Sequence, residues 1–133
     1  MKYLLSILLA LAPACAEAPS GVDVIIDGVR EPHLAAAHAH LAAKLDPSRP
    51  VVLRTAPLLV WGLLGQTRMY ADRYEITIDE SLTEWAQQMV LIHEWAHVES
   101  WEDGIHDDPR YDPHGDEWGE RYSRVFQAWV GED

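Results

Sequence analysis

The stretch that decides the fold is Val90-Leu91-Ile92-His93-Glu94-Trp95-Ala96-His97-Val98, which contains a His-Glu-x-x-His motif. On a helix, residues four apart lie one turn above each other on the same face, so His93 and His97 can reach one metal ion. Glu94 follows the first histidine and can take a proton from a metal-bound water. The motif therefore predicts a zinc site with Glu94 as general base.

Two local patterns predict that this motif lies on a helix over about residues 82–103. Ser81-Leu82-Thr83-Glu84 is typical of a capping box with Ser81 as N-cap, and Gly104 can end the helix. An apolar stripe recurs at three- and four-residue steps, formed by Leu82, Trp85, Met89, Ile92 and Ala96. The alternative is a chance match on a solvated helix face. The apolar neighbours of both histidines disfavour it, because burying unpartnered imidazoles is unfavourable.

Length and charge narrow the class of protein. The chain has 133 residues, enough for one small domain, and 48% of them are hydrophobic, which indicates a globular fold. The formal net charge is −12, and eleven acidic but only three basic residues lie from residue 99 to residue 133. An acidic surface repels phosphate backbones, so neither nucleic acid nor an anionic membrane surface is expected as a partner.

Residues 1–16 have the pattern of a signal peptide. Lys2 precedes an apolar run from Leu4 to Ala12, and small residues follow. The run is too short to span a bilayer, so we expect a secreted or periplasmic protein that begins at Cys15 or Glu17. Two alternatives remain, an uncleaved N-terminal helix of a cytosolic protein and a lipoprotein anchored through Cys15. Cys15 is the single cysteine, which excludes an internal disulfide and a cysteine-based zinc finger.

The remaining patterns predict one minimal α+β domain over residues 17–133. A small, mainly antiparallel sheet packs on the motif helix, and a further helix lies on either side in sequence. Strands are expected at residues 22–26 and 50–54, a hairpin at 67–70 and 73–78, and helices at 31–45 and from 115 to about 131. The pattern of residues 57–64 does not decide between a strand and a loop. The hairpin turns at Ala71-Asp72, and Asp116 is the expected N-cap of the last helix.

Three histidines on the first predicted helix are interpreted separately from the metal site. His38 and His40 are two residues apart and do not share a helix face with each other. We expect His33, His38 and His40 to be surface or partly buried residues rather than ligands.

A catalytic zinc needs a third protein ligand and an open position for water. His114 is the preferred candidate, because it precedes the last helix where a loop returns to the core. His106 and Glu120 are alternatives, and so is Asp103, six residues after His97. The expected helix continues through residue 103 without a sharp turn, which carries Asp103 away from the metal.

These motifs together resemble the SprT-like zinc metallopeptidases. The resemblance covers residues 64–129 and includes Leu64-Gly65 before a hairpin, the strand at 74–78, the helix at 91–97 and the segment His114-Gly115-Asp116-Glu117-Trp118. It implies a zincin-like fold with one zinc ion per chain, and a His-Gly-x-x-aromatic segment that supplies His114 as third ligand. Familiar members are intracellular, and some act on proteins crosslinked to DNA. The export pattern and negative charge of this chain argue against that role here.

The predicted function is hydrolysis of peptide bonds in a peptide or protein substrate, in a cleft between the sheet edge and the motif helix. Tyr111 and Tyr122 are candidates for a second donor to the oxyanion, although ordinary packing also explains both. One alternative is an exported zinc-binding module without catalysis, which would not need Glu94. Another is a metalloamidase that acts on cell-wall peptides with the same chemistry.

Overall fold

A computed structural model describes residues 24–29 and 31–131, with the side chains of residues 24–27 left out. The predicted signal peptide at residues 1–16, including Cys15, lies outside the described residues. Within the described part of the chain, no helix combines the length and apolar character that a membrane span requires.

The described residues form four strands and three helices, with three of the strands in succession between the first and second helices. In chain order these are β1 Val24–Asp27, α1 Pro32–Leu45, β2 Val51–Ala56, β3 Gly65–Met69, β4 Tyr74–Asp79, α2 Glu84–Glu102 and α3 Asp116–Val130. Short 3-10 segments cover Leu58–Trp61 and Ile105–Asp107. The predicted α+β class is therefore confirmed, and residues 57–64, left undecided above, contain a 3-10 turn instead of a strand.

The sheet is mixed, so the prediction of a mainly antiparallel sheet is wrong. The strand order is β1-β2-β4-β3, with β1 parallel to β2 and β2 parallel to β4. Only the β3–β4 hairpin is antiparallel, as its short turn requires. The parallel pairs arise because α1 carries the chain from the end of β1 back to the start of β2, and β3 does the same between β2 and β4.

One face of β4 forms the centre of the core, as its alternating pattern predicts. Tyr74, Ile76 and Ile78 are buried and pack in one cluster with the buried face of α2. The same alternation puts Glu75 on the opposite face of the strand and predicts that it meets water, but Glu75 is only 6% exposed. The guanidinium of Arg73 donates a hydrogen bond to its carboxylate at 2.8 Å, and that of Arg54 lies 3.7 Å from the same carboxylate.

The start of α2 differs from the predicted capping box. The helix begins at Glu84, and the N-cap is Thr83, whose hydroxyl accepts a hydrogen bond from the Ala86 N–H at 3.3 Å. Ser81 instead donates both its backbone N–H and its hydroxyl to the carboxylate of Asp79. A contact with the preceding strand therefore removes Ser81 from the cap. The start of the last helix also differs from the prediction, since Asp116 is its first helical residue and not its N-cap.

His38 is wholly buried, which contradicts its interpretation as a surface or partly buried residue. Its Nε2–H donates to the Val51 carbonyl at 2.9 Å, and its Nδ1 accepts a hydrogen bond from the Trp95 indole at 3.2 Å. These partners fix the tautomer, because a carbonyl only accepts and an indole N–H only donates. Burial lowers the pKa of His38 to about 4. His33 and His40 are partly buried, as predicted.

Candidate metal centre

The structure brings three histidines together beside the middle of α2. His93 and His97 project from the helix, and His114 reaches them from the turn before α3. One ring nitrogen of each lies within 4.8 Å of the other two, and the Nε2 atoms of His93 and His114 are 3.2 Å apart. Two nitrogens bound tetrahedrally to one zinc at about 2.0–2.1 Å would be about 3.4 Å apart. The spacing of the three histidines therefore fits a single ion.

A tight turn delivers His114 to the motif helix. The carboxylate of Asp112 accepts a hydrogen bond from the His114 N–H at 3.1 Å, and its carbonyl accepts one from the Gly115 N–H at 2.9 Å. A Cβ at Gly115 would lie only 2.8 Å from the Cβ of Asp112. The His-Gly pair of the sequence thus has a physical reason, since a side chain at position 115 would open the turn that presents the imidazole.

The Trp118 ring packs against the rings of the three histidines. Its ring centroid lies 4.9 Å from that of His93, 5.5 Å from that of His97 and 5.1 Å from that of His114. Trp118 follows His114 by four residues and stands on the first turn of α3. The aromatic residue of the His-Gly-x-x-aromatic segment therefore packs against all three imidazoles and limits how far each ring can turn.

The cluster favours neutral imidazoles. Burial, and then the neighbouring histidines, lower the pKa of His97 to about 3. Burial and His114 also lower the pKa of His93. A neutral imidazole has a free lone pair, which a metal ion requires, whereas a protonated one has none. At neutral pH, His93 and His97 are therefore in the form that binds a metal.

The other candidates for a third ligand have different contacts. The His106 ring stacks on Trp101 with a centroid distance of 4.0 Å and an angle of 14° between the ring planes. Asp103 accepts a hydrogen bond from Arg121 at 2.8 Å, and Glu120 lies 3.2 Å from the same guanidinium. Among the described residues, His114 is the one candidate that joins His93 and His97.

Glu94 lies on the side of α2 that faces β3 and is only 6% exposed. The Thr67 hydroxyl donates a hydrogen bond to its Oε1 at 2.5 Å. Burial raises the pKa of Glu94 to about 7, and the hydrogen bond from Thr67 opposes that rise. Sequence reasoning missed Thr67. The only signal was the alternation of β3, which puts every second side chain on the face toward α2.

A cavity of about 400 Å³ opens beside the histidines, where the sequence predicts a cleft. It lies between β3, an edge strand, and α2, and its seven lining residues are Leu64, Gly65, Met89, Val90, His93, Glu94 and Tyr122. Tyr122, one of the two candidate oxyanion donors, is among these residues. Tyr111 is not, and its hydroxyl donates a hydrogen bond to Ser100 at 2.9 Å. Of the two tyrosines, Tyr122 is therefore the better placed.

No protein-family model matches the chain, and neither a curated protein nor a solved structure does. The likeness to the SprT-like peptidases thus stays a prediction based on the sequence motifs. The assignment of a function depends on the geometry of the histidines, Glu94 and the cavity.

Proposed function

We propose that the chain is a zinc-dependent peptidase of the SprT-like type that hydrolyses peptide bonds. The observation that carries the proposal is the convergence of His93, His97 and His114 beside a cavity that Glu94 also lines. A helix bearing the motif and packed on a small sheet is consistent with a zincin-like fold. The predicted signal peptide suggests that the enzyme works outside the cytoplasm.

The donor set suits zinc. Three imidazoles without a thiolate match the common catalytic site of three protein ligands and an open position, although imidazole also suits copper, iron and nickel. His93, His97 and His114 would hold one ion per chain. A bound zinc ion supplies Lewis acidity, which lowers the pKa of a coordinated water to about 7 and polarises a carbonyl.

Glu94 performs the proton transfers in this proposal. Its Oε1 accepts the hydrogen bond from Thr67, which leaves Oε2 to take a proton from the attacking water. The same oxygen then delivers the proton to the nitrogen of the leaving amine. General-base catalysis of this kind contributes roughly 10²–10⁴-fold to the rate. Glu94 does not ligate the metal, because the two histidines that flank it in the motif already occupy that role.

An extended peptide is the substrate that fits the cavity. Because β3 is an edge strand, its free edge can pair with the backbone of an extended peptide that lies alongside it and reaches the cavity. Leu64, Met89 and Val90 give the cavity an apolar lining, and the Tyr122 hydroxyl is our candidate for a second donor to the oxyanion. The net charge of −12 disfavours nucleic acid as a partner.

Digestion of a broad peptide library tests the proposal. The zinc-loaded protein should cleave peptides, a chelator should stop cleavage, and added zinc should restore it. A zinc-loaded protein that cleaves nothing would favour the non-catalytic zinc-binding module. Cleavage confined to cell-wall peptides would favour the metalloamidase.

A further inference from the structure

Strand β3 contacts α2 at the position of Glu94 through the side chain of Thr67. The Thr67 hydroxyl lies 2.5 Å from Oε1 of Glu94 and 3.3 Å from the backbone carbonyl oxygen of the same residue. A hydroxyl has one proton to donate, and the shorter distance assigns it to the carboxylate. One oxygen of the buried carboxylate is therefore held against the strand, and the direction of the other follows from it.

The register of the hairpin sets this contact. Gly65 pairs with Ile78 and Thr67 pairs with Ile76, and both isoleucines are fully buried on the face that packs on α2. Gly65 and Thr67 therefore share that inner face, since directly paired residues point to the same side of a sheet. A slip of one residue would replace the hydroxyl at this position with Gln66 or another side chain of the outer face.

Gly65 provides the space that the carboxylate occupies. A Cβ at this position would lie 2.5 Å from Cγ1 of Val90, 3.1 Å from Oε2 of Glu94 and 3.2 Å from its Cγ. The φ angle of Gly65 is not in the left-handed region, so the requirement concerns space and not backbone conformation. With any larger residue, β3 would move away from α2, and the hydrogen bond from Thr67 would lengthen or break.

We propose that Thr67 and Gly65 are positioning residues for the proton transfers of Glu94. Thr67 holds Oε1 through its hydroxyl, and Gly65 leaves room for Oε2. This inference rests on the proposed function, because it assumes that Glu94 is the general base. Without the hydroxyl, the carboxylate can turn about its last side-chain bond, and its alignment with the reacting water is lost.

Kinetics of matched variants test the role of the hydroxyl. Thr67→Val keeps the shape of the side chain, and we expect kcat to fall by about 10- to 100-fold with KM and zinc content unchanged. Thr67→Ser retains the hydroxyl and should stay within a few fold of wild type. Thr77→Val is the control, because Thr77 lies on the neighbouring strand with its side chain on the opposite face. Wild-type kcat in Thr67→Val would overturn the inference.

Introducing Thr67→Val into a protein that already carries Glu94→Gln separates a positioning role of Thr67 from a general structural role. If Thr67 acts through the Glu94 carboxylate, Thr67→Val should cause no further fall in the residual rate of Glu94→Gln. An equal fall in both backgrounds would contradict that role. Gly65→Ala should also lower kcat at full zinc content, and wild-type kcat in this variant would remove Gly65 from the proposal. If Gly65→Ala does not fold, adding Val90→Ala removes the closest clash and makes the measurement possible.

A second readout needs no activity. Urea unfolding of the metal-free wild type, Thr67→Val, Glu94→Gln and the double variant measures the coupling between the two side chains. We expect non-additive losses, and additive losses would overturn the contact while leaving the proposed function intact. If the zinc-loaded wild type cleaves nothing, the proposed function and the positioning role of Thr67 both fail, and the coupling shows a structural contact alone.

Discussion

Histidines lie in two regions of the chain with opposite consequences: His38 is buried, whereas His93 and His97 are partly buried and His114 is exposed. His38 lies inside the core, where the Val51 carbonyl and the Trp95 indole use both of its ring nitrogens. Beside the middle of α2, the Nε2 atoms of His93 and His114 lie 3.2 Å apart. The first region satisfies an imidazole within the protein, whereas the second gathers imidazoles around a point that a cation can occupy.

This difference shows which feature distinguishes a histidine that can bind a metal from one that stabilises the core. Burial alone does not, since His38 is more deeply buried than either motif histidine. The pKa does not decide either, because it is lowered both for His38, to about 4, and for His97, to about 3. What distinguishes the metal centre is the convergence of three ring nitrogens within 4.8 Å beside a cavity.

The largest expected effect comes from removing the third histidine. His114→Ala should weaken zinc binding well beyond the roughly 10–100-fold that changes to outer-shell partners cost, and hydrolysis should be lost with the metal. His106→Ala is the matched control and should keep one zinc per chain, because its ring stacks on Trp101. Elemental analysis after dialysis measures both. Full zinc in His114→Ala with loss in His106→Ala would reassign the third ligand.

Removing His38 should have the opposite effect, with a loss of stability but not of zinc binding. His38→Ala leaves a cavity and two unsatisfied partners in the core, so we expect the free energy of unfolding to fall by about 3–5 kcal/mol. The fraction that stays folded should still bind one zinc per chain. Urea unfolding and elemental analysis give the two quantities. Loss of zinc from a variant with wild-type stability would contradict the division between the two regions.

The pH dependence of stability sharpens the comparison further. The pKa of His38 is about 4 in the folded protein and 6.5 ordinarily, so the unfolded chain binds the extra proton between these values. His38 therefore contributes full stability above about pH 6.5 and loses it as the pH falls toward 4. The loss amounts to about 3 kcal/mol. His38→Gln cannot titrate, so its pH profile should be flatter than that of wild type by this amount, in urea titrations of the metal-free proteins. If the stability of wild type and His38→Gln depends on pH in the same way, the pKa of His38 is not lowered in the folded protein.

The smallest expected effect concerns a partly buried histidine outside both regions. The ring Nε2 of His40 lies 2.8 Å from the Ala128 carbonyl, to which it donates a hydrogen bond. His40→Ala should lower the free energy of unfolding by only about 1 kcal/mol and leave zinc content unchanged. If His40→Ala lowers the free energy of unfolding as much as His38→Ala does, the stability that a histidine contributes does not follow its burial.

The sequence predicted those parts of the fold that depend on local pattern. The helices α1, α2 and α3 and the β3–β4 hairpin follow from periodicity and turn residues that lie close together in the chain. The parallel pairing of β2 with β1 and β4 did not follow, because it depends on where crossover connections return the chain. Ser81 was the wrong N-cap for a local reason, since the Asp79 carboxylate two residues earlier accepts its hydrogen bonds.

For the candidate site, spacing along one helix predicted that His93 and His97 lie together, and the position just before the last helix favoured His114 among four candidates. The remaining parts are contacts between distant elements. The bond between Thr67 and Glu94 depends on the register of β3 against β4 and on the close approach of β3 to α2. The burial of His38 depends on Trp95, 57 residues away in sequence. No short-range pattern encodes such pairs.

The most direct test of the account is a comparison of wild type with Glu94→Gln, in which zinc content and peptide hydrolysis are measured on the same samples. We expect both proteins to be folded and to hold one zinc per chain, while hydrolysis falls by at least roughly 10²–10⁴-fold in the variant, because the amide cannot accept the proton. Equal rates at equal zinc content would show that Glu94 is not the general base. Loss of zinc from Glu94→Gln would instead make Glu94 a ligand and contradict the three-histidine centre.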